Sequence, residues 1–108
     1  MAFINTKKIL SFVNRVERKK RFKREPGLIL RHLFEEVGEA SRALWQLDSV
    51  STKGTADAYR ERVAKECVDV VCLAVYLADV LKVDLDEIFA LRIREIAAQY
   101  GVECPEAR

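Results

Sequence analysis

Between Val70 and Leu81 the only charged residue is Asp79. The rest of that stretch is Val, Cys, Leu, Ala and Tyr, about three turns of a helix that is apolar around most of its circumference. Such a helix has to be buried on several sides. The chain has 108 residues, which is one domain by length. So few residues can hardly surround a central helix. Two arrangements meet the requirement: a second subunit covers part of the face, or the helix is the centre of one compact bundle. The first is the expectation carried forward. The stretch falls short of the roughly 20 apolar residues that a membrane span needs.

The remaining pattern is also helical. Ile9, Phe12, Val13 and Val16 recur at helical spacing from about Asn5 to Phe22, with Asn5 or Thr6 as the cap. Glu25-Pro26-Gly27 breaks this helix. A second helix is expected from about Leu28 to Leu47, with Leu30, Leu33, Phe34, Val37, Ala40, Leu44 and Leu47 as its apolar stripe. Residues 48–55 read as the one obvious loop, and Thr55 or Asp57 as the cap of a third helix running to about Leu81. A fourth is expected from Leu85 to Tyr100, with Asp84 and Glu87 forming a capping box and Gly101 as the stop. Residues 102–108 read as a loose tail. No segment reads as a strand pair, so the expected fold is all-α: a single domain, a bundle of about four helices, completed by oligomerisation.

The formal net charge of +2 conceals an asymmetry. Residues 7–25 carry nine basic and two acidic side chains, a net of +7, and residues 26–108 a net of −5. Near-neutrality gives no global case for nucleic acid or a membrane as partner. The three cysteines, Cys67, Cys72 and Cys104, show no CxxC spacing, which argues against a disulfide framework and a zinc ribbon. The opening MAFINTKKIL carries no secretory signal pattern. A cytoplasmic protein is the expectation.

Acidic residues form two pairs. Glu36 and Glu39 stand three apart in FEEVGEA, and Glu66 and Asp69 three apart in KECVDVV. Each pair projects from one flank of its helix, about 60° apart. Glu66 is the telling one. It points only about 40° from Val70, inside the stripe Val63, Cys67, Val70, Ala74, Leu77 and Leu81. A carboxylate aimed at a core is costly unless it is paired or bound to metal. A salt bridge to Arg or Lys would satisfy it. So would a cage of four carboxylates around a hard cation, Mg²⁺ or Mn²⁺. Glu35 points further from the stripe and reads as solvent-facing or as a supporting group.

The combination EEVGE (Glu35–Glu39), a 26-residue spacer, ECVD (Glu66–Asp69), an apolar helix and then DLDE (Asp84–Glu87) resembles the EExxE…ExxD signature of the MazG-like nucleoside triphosphate pyrophosphohydrolases. That all-α superfamily also includes dimeric dUTPases and phosphoribosyl-ATP pyrophosphatases. The resemblance covers about Leu28 to Tyr100. It implies Mg²⁺-dependent hydrolysis of an NTP or dNTP to the monophosphate and pyrophosphate, in a homo-oligomer, dimer or tetramer. It implies Glu36, Glu39, Glu66 and Asp69 as metal ligands, with Glu35 or Glu39 accepting a proton or orienting the attacking water.

The chain departs from the family pattern on its last helix, where a K…N…R series is common. In register with DLDE, Arg92 takes the Lys position, Ile96 the Asn position and Gln99 the Arg position. Arg92 can bind phosphate, with Arg94 or Lys65 as helpers, but Ile96 cannot replace an amide. A nucleotide-binding regulatory relative with little turnover is therefore the second reading. Trp45, Phe22 and His32 are candidates for base recognition or for packing. His32 is on the same flank as Glu36 and Glu39, which allows a place near substrate, but a surface histidine is the preferred reading. The run Arg18–Arg24 permits a third reading, a basic-armed nucleic-acid binder, but has one interleaved aromatic and no helix-turn-helix spacing. Within the enzyme reading its charge attracts a triphosphate, with Arg21 and Arg24 as phosphate contacts.

Overall fold

The computed structural model describes residues 5–21, 23–49 and 52–105, and within them the chain is helical throughout apart from short connections. Four helices follow in order: α1 (Thr6–Lys20), α2 (Pro26–Ser49), α3 (Lys53–Val80) and α4 (Leu85–Tyr100). Each boundary has a local cause. The Asn5 side chain accepts from the Lys8 amide at the start of α1, and Arg21 closes the helix in the left-handed region at φ 55°. Pro26, without an amide hydrogen, is suited to the first position of α2. Asp84 accepts from the amides of Asp86 and Glu87, and Gly101, at φ 63°, ends α4 as expected. The third helix departs from expectation. It begins at Lys53, ahead of the expected caps Thr55 and Asp57, with Thr52 as a cap residue whose side chain makes no capping bond.

The long helices α2 and α3 pair as a hairpin, α1 lies against α3, and α4 touches α3 only lightly. The core is small. Val13 of α1, Ile29 of α2, and Leu73 and Tyr76 of α3 form it, with Ile9, Leu33, Cys72, Leu77 and Val80 packed around them. Full burial of a side chain such as Ile29 contributes about 1.5–3 kcal/mol. Thr6 donates to Asp86, the side-chain tie between the first helix and the last.

Part of the α2 stripe read from the sequence turns outward, while Leu33, Ala40 and Leu47 stay on the packed side. Leu30, Phe34, Val37 and Leu44 are 43–65% exposed, and Trp45 beside them is 72% exposed. The packed side of α2 is the row Ile29, Leu33, Glu36, Ala40, Ala43 and Leu47. The expected α3 stripe also rotates: Cys67, Ala74 and Leu81 are exposed, and the covered row is Val63, Glu66, Val70, Leu73, Leu77 and Val80. Val68 and Val71 lie open as well. A helix apolar on several sides has no unique stripe, so the neighbour decides which row is covered. The radius of gyration, 16.6 Å, exceeds the roughly 13 Å of a compact domain of this length. The compact-bundle arrangement is therefore not the one adopted. The chain is open, with carboxylates turned inward and large apolar side chains left outside.

No helix among the described residues is long and apolar enough to cross a membrane. The tail is without regular structure over residues 102–105, and Phe22, Val50, Ser51 and residues 106–108 lie outside the described residues.

Candidate metal centre

The inward rotation of α2 and α3 brings Glu36 and Glu39 of the first acidic pair up to Glu66 of the second. Carboxylate oxygens of Glu36, Glu39 and Glu66 all lie within 4.8 Å of one another. Glu36 and Glu66 are half-buried and Glu39 is exposed at the rim. Among the described residues no Lys or Arg lies within ion-pairing distance of any of the three, which removes the salt bridge as the explanation for the inward Glu66. One Glu66 oxygen, Oε2, is buried without a hydrogen-bond partner. Like charges at this separation repel, and a cation is one of the few things that relieves them.

The electrostatic consequence falls on Glu66, whose carboxyl is held above the ordinary glutamate value. The first cause is a hydrogen bond shared with Glu36. Desolvation follows, then the negative charges of Glu36 and Asp69, and Glu39 acts in the opposite sense. In the metal-free protein the group retains a proton more readily than a free glutamate does. Cys72, one turn from Asp69, has its thiol pKa raised by burial first and by the Asp69 charge second, which disfavours the thiolate.

Asp69 does not join the convergent oxygens. It lines an adjoining cavity of about 220 Å³ together with Glu36, His32 and Glu17. His32 is half-buried rather than a surface residue, and its Nε2 lies 3.2 Å from Glu36 Oε1. The i, i+4 spacing of His32 and Glu36 on α2 is a sequence signal for this pair. Glu35 is exposed and outside the group.

The other sequence candidates lie elsewhere. Arg21 and Arg24 line a second, basic cavity of about 610 Å³ with Arg18 and Lys23. Arg24 is already engaged: it donates to Asp79 at 2.7 Å and to Asn14 at 3.1 Å, and it sits 5.2 Å over the Tyr76 ring. The Asp79 hydrogen bond is the main cause that raises its pKa further. Lys65 pairs with Glu61 at 3.3 Å and Arg92 with Glu95 at 3.4 Å, both on exposed helix faces. Trp45 lies exposed on the outward face of α2. Sequence reasoning missed Glu17, which is buried on α1 and lines both cavities. Its position four residues after Val13, on the same line as Ile9, was the available signal.

No family model, no curated protein and no solved structure matches the chain.

Proposed function

We propose that the protein is a Mg²⁺-dependent nucleoside triphosphate pyrophosphohydrolase that converts an NTP or dNTP to the monophosphate and pyrophosphate. One observation carries this reading: three carboxylates from two helices converge within 4.8 Å, with no Lys or Arg partner among the described residues. An all-oxygen donor set without imidazole or thiolate suits Mg²⁺ or Mn²⁺. The buried, unpartnered Oε2 of Glu66 supports the same fit. In this reading Glu36, Glu39 and Glu66 hold the cation, and Asp69, beside Glu36 in the adjoining cavity, completes the set. The cation, when bound, neutralises phosphate charge and lowers the pKa of a bound water.

The chain's own groups then do the rest. Water attacks the α-phosphorus, a new P–O bond forms, the bond to the pyrophosphate oxygen breaks, and the water proton passes to a carboxylate. Glu39, exposed at the rim of the group, is a better placed acceptor than Glu35, which stands outside it. His32 orients Glu36 through the 3.2 Å contact. The basic segment draws the polyanionic substrate in.

A homo-oligomer belongs to this reading. The outward row Leu30, Phe34, Val37 and Leu44 is the kind of apolar face that a second copy covers. A second reading, a nucleotide-binding regulator with little turnover, is favoured by one specific feature: Ile96 and Gln99 stand where the resembled family carries Asn and Arg.

The test is a panel of NTPs and dNTPs with Mg²⁺, reading released pyrophosphate. Hydrolysis that is lost in Glu36→Gln and Asp69→Asn, with helicity retained, supports the enzyme. Binding without release supports the regulator. Full activity in both variants removes the site.

A further inference from the structure

The basic cavity beside α1 takes part in no step of the proposed reaction. Its volume is about 610 Å³, and Arg18, Arg21, Lys23 and Arg24 line it. Arg24 is spent on Asp79 and Asn14. Those bonds tie the connection between α1 and α2 to α3, and with it the neighbouring Lys23. Arg18, Arg21 and Lys23 are exposed, and among the described residues none of them lies within 4.0 Å of a carboxylate. Arg21 closes α1 in the left-handed region at φ 55°, a position where glycine is the usual residue. A cation therefore stands where helix termination alone favours a residue without a side chain.

Two carboxylates also border the cavity. Asp79 accepts from Arg24 at 2.7 Å. The Glu17 side chain is 8% exposed, its Oε2 is fully covered, and its Oε1 faces Lys20 at 4.0 Å. Four cations against these two leave positive charge in surplus, and like charges around one cavity repel unless an anion relieves them. The cavity is separate from the metal group. Its α3 residues, Tyr76 and Asp79, lie 10 and 13 positions after Glu66, which at the helical rise is about 15 and 20 Å further along. On α1, Asn14, Arg18 and Arg21 project from a different flank than Phe12, Val16 and Lys20, which line the cavity that contains Glu36. A short phosphate chain held at the metal group does not reach these cations.

We infer that this cavity is a second anion site, independent of metal, that binds a short polyphosphate. Guanidinium groups hold phosphate oxygens through paired N–H donors. Arg18 and Arg21 supply them from α1, and Lys23 adds a point charge from the connection. The volume of about 610 Å³ is within the roughly 300–1,000 Å³ of small-molecule sites. A nucleic-acid backbone is held by cations that neutralise successive phosphates along it. Here the cations gather around one concavity that also contains Asp79, which favours the small anion. Free pyrophosphate and the phosphate tail of a nucleoside triphosphate share the required chemistry. The attraction of substrate proposed above acts at long range and needs no contact in this cavity, so the anion site does not rest on that reading.

The experiment titrates the protein calorimetrically with tripolyphosphate, pyrophosphate and dCTP, in buffer stripped of divalent cations by a chelating resin. One tripolyphosphate is expected to bind per chain, in the wild type and equally in Glu36→Gln. The triple variant Arg18→Gln, Arg21→Gln, Lys23→Gln is expected to lose about ten-fold or more in affinity, with its helical signal retained. Lys8→Gln, Arg15→Gln, Lys19→Gln removes the same charge outside the cavity and is expected to lose less than about three-fold, because screening weakens distant charges. Binding of dCTP as tight as that of tripolyphosphate identifies the nucleotide's tail as the ligand, and pyrophosphate tighter than dCTP identifies the free anion. No binding, or equal losses in the two triple variants, overturns the site. Binding that is lost in Glu36→Gln places the anion at the metal group and overturns it too. A duplex oligonucleotide that displaces tripolyphosphate and binds more tightly makes the surface a nucleic-acid face instead. None of these results touches the proposed hydrolysis, whose test requires Mg²⁺.

Discussion

His32 Nε2 lies 3.2 Å from Oε1 of Glu36, one helical turn further along α2. The contact joins the only histidine in the chain to the central carboxylate of the acidic group. A side chain that orients a metal ligand typically contributes about 10–100-fold in metal affinity or activity. His32→Ala is therefore expected to weaken Mn²⁺ binding about ten-fold or more, read by calorimetric titration, with helicity preserved. Unchanged affinity would show that His32 does not position Glu36 for the cation.

The raised Glu66 carboxyl makes the stability of the metal-free protein depend on pH. A group whose folded pKa lies above its unfolded one binds protons more tightly in the folded state. Its contribution is fully present below the unfolded value. It is lost as pH rises from the ordinary glutamate range through the raised folded value. Thermal unfolding in EDTA should accordingly show Tm falling through this window. Glu66→Gln should flatten that slope, and Mg²⁺ should offset it by binding the ionised form.

The two faces of α2 should respond oppositely to substitution. Ile29 is fully buried, so Ile29→Ala should cost about 2–5 kcal/mol in chemical denaturation. Phe34 and Leu44 are 65% and 50% exposed. Phe34→Glu combined with Leu44→Glu should leave the helical signal intact and convert an oligomer to monomer in size-exclusion chromatography with light scattering. A wild-type protein that is already monomeric would remove the proposed second copy.

Arg24 makes three contacts with a planar guanidinium, to Asp79, to Asn14 and over the Tyr76 ring. Lys cannot reproduce that fork or the stack. Because Arg24 is half-exposed, solvent screening limits the ion pair, and Arg24→Lys should cost about 1 kcal/mol or less. If Arg24 instead serves substrate phosphate, the same variant should raise KM with little change in unfolding midpoint.

Helix existence was legible along most of the chain because its signals are local. Asn5, Asp84 and Gly101 act within one turn of themselves, and α4 runs over the residues its cap and stop predict. The acidic pairs were legible for the same reason, since i, i+3 spacing is a property of one helix. Rotation was not. Val37 was expected at the centre of the covered face of α2, and Glu36 occupies the covered row instead. The Thr55 and Asp57 caps failed because α3 begins earlier, at Lys53. Glu17 stayed hidden among cations: its spacing from Ile9 and Val13 was the one local signal, and the packing of α1 against α3 is what buries it.

The sequence by itself determined that this chain is helical, that α3 is too apolar to stand alone, and that two helices each carry a carboxylate pair. These follow from periodicity, capping and composition, which act over a few residues. Only the tertiary structure decided which way each helix turns. It faced Glu36, Glu39 and Glu66 toward one another and left Phe34, Val37 and Leu44 outside. The physical reason is that an apolar helix has several rows it could bury, and packing against a neighbour selects one. That selection lies in contacts between residues some 30 positions apart.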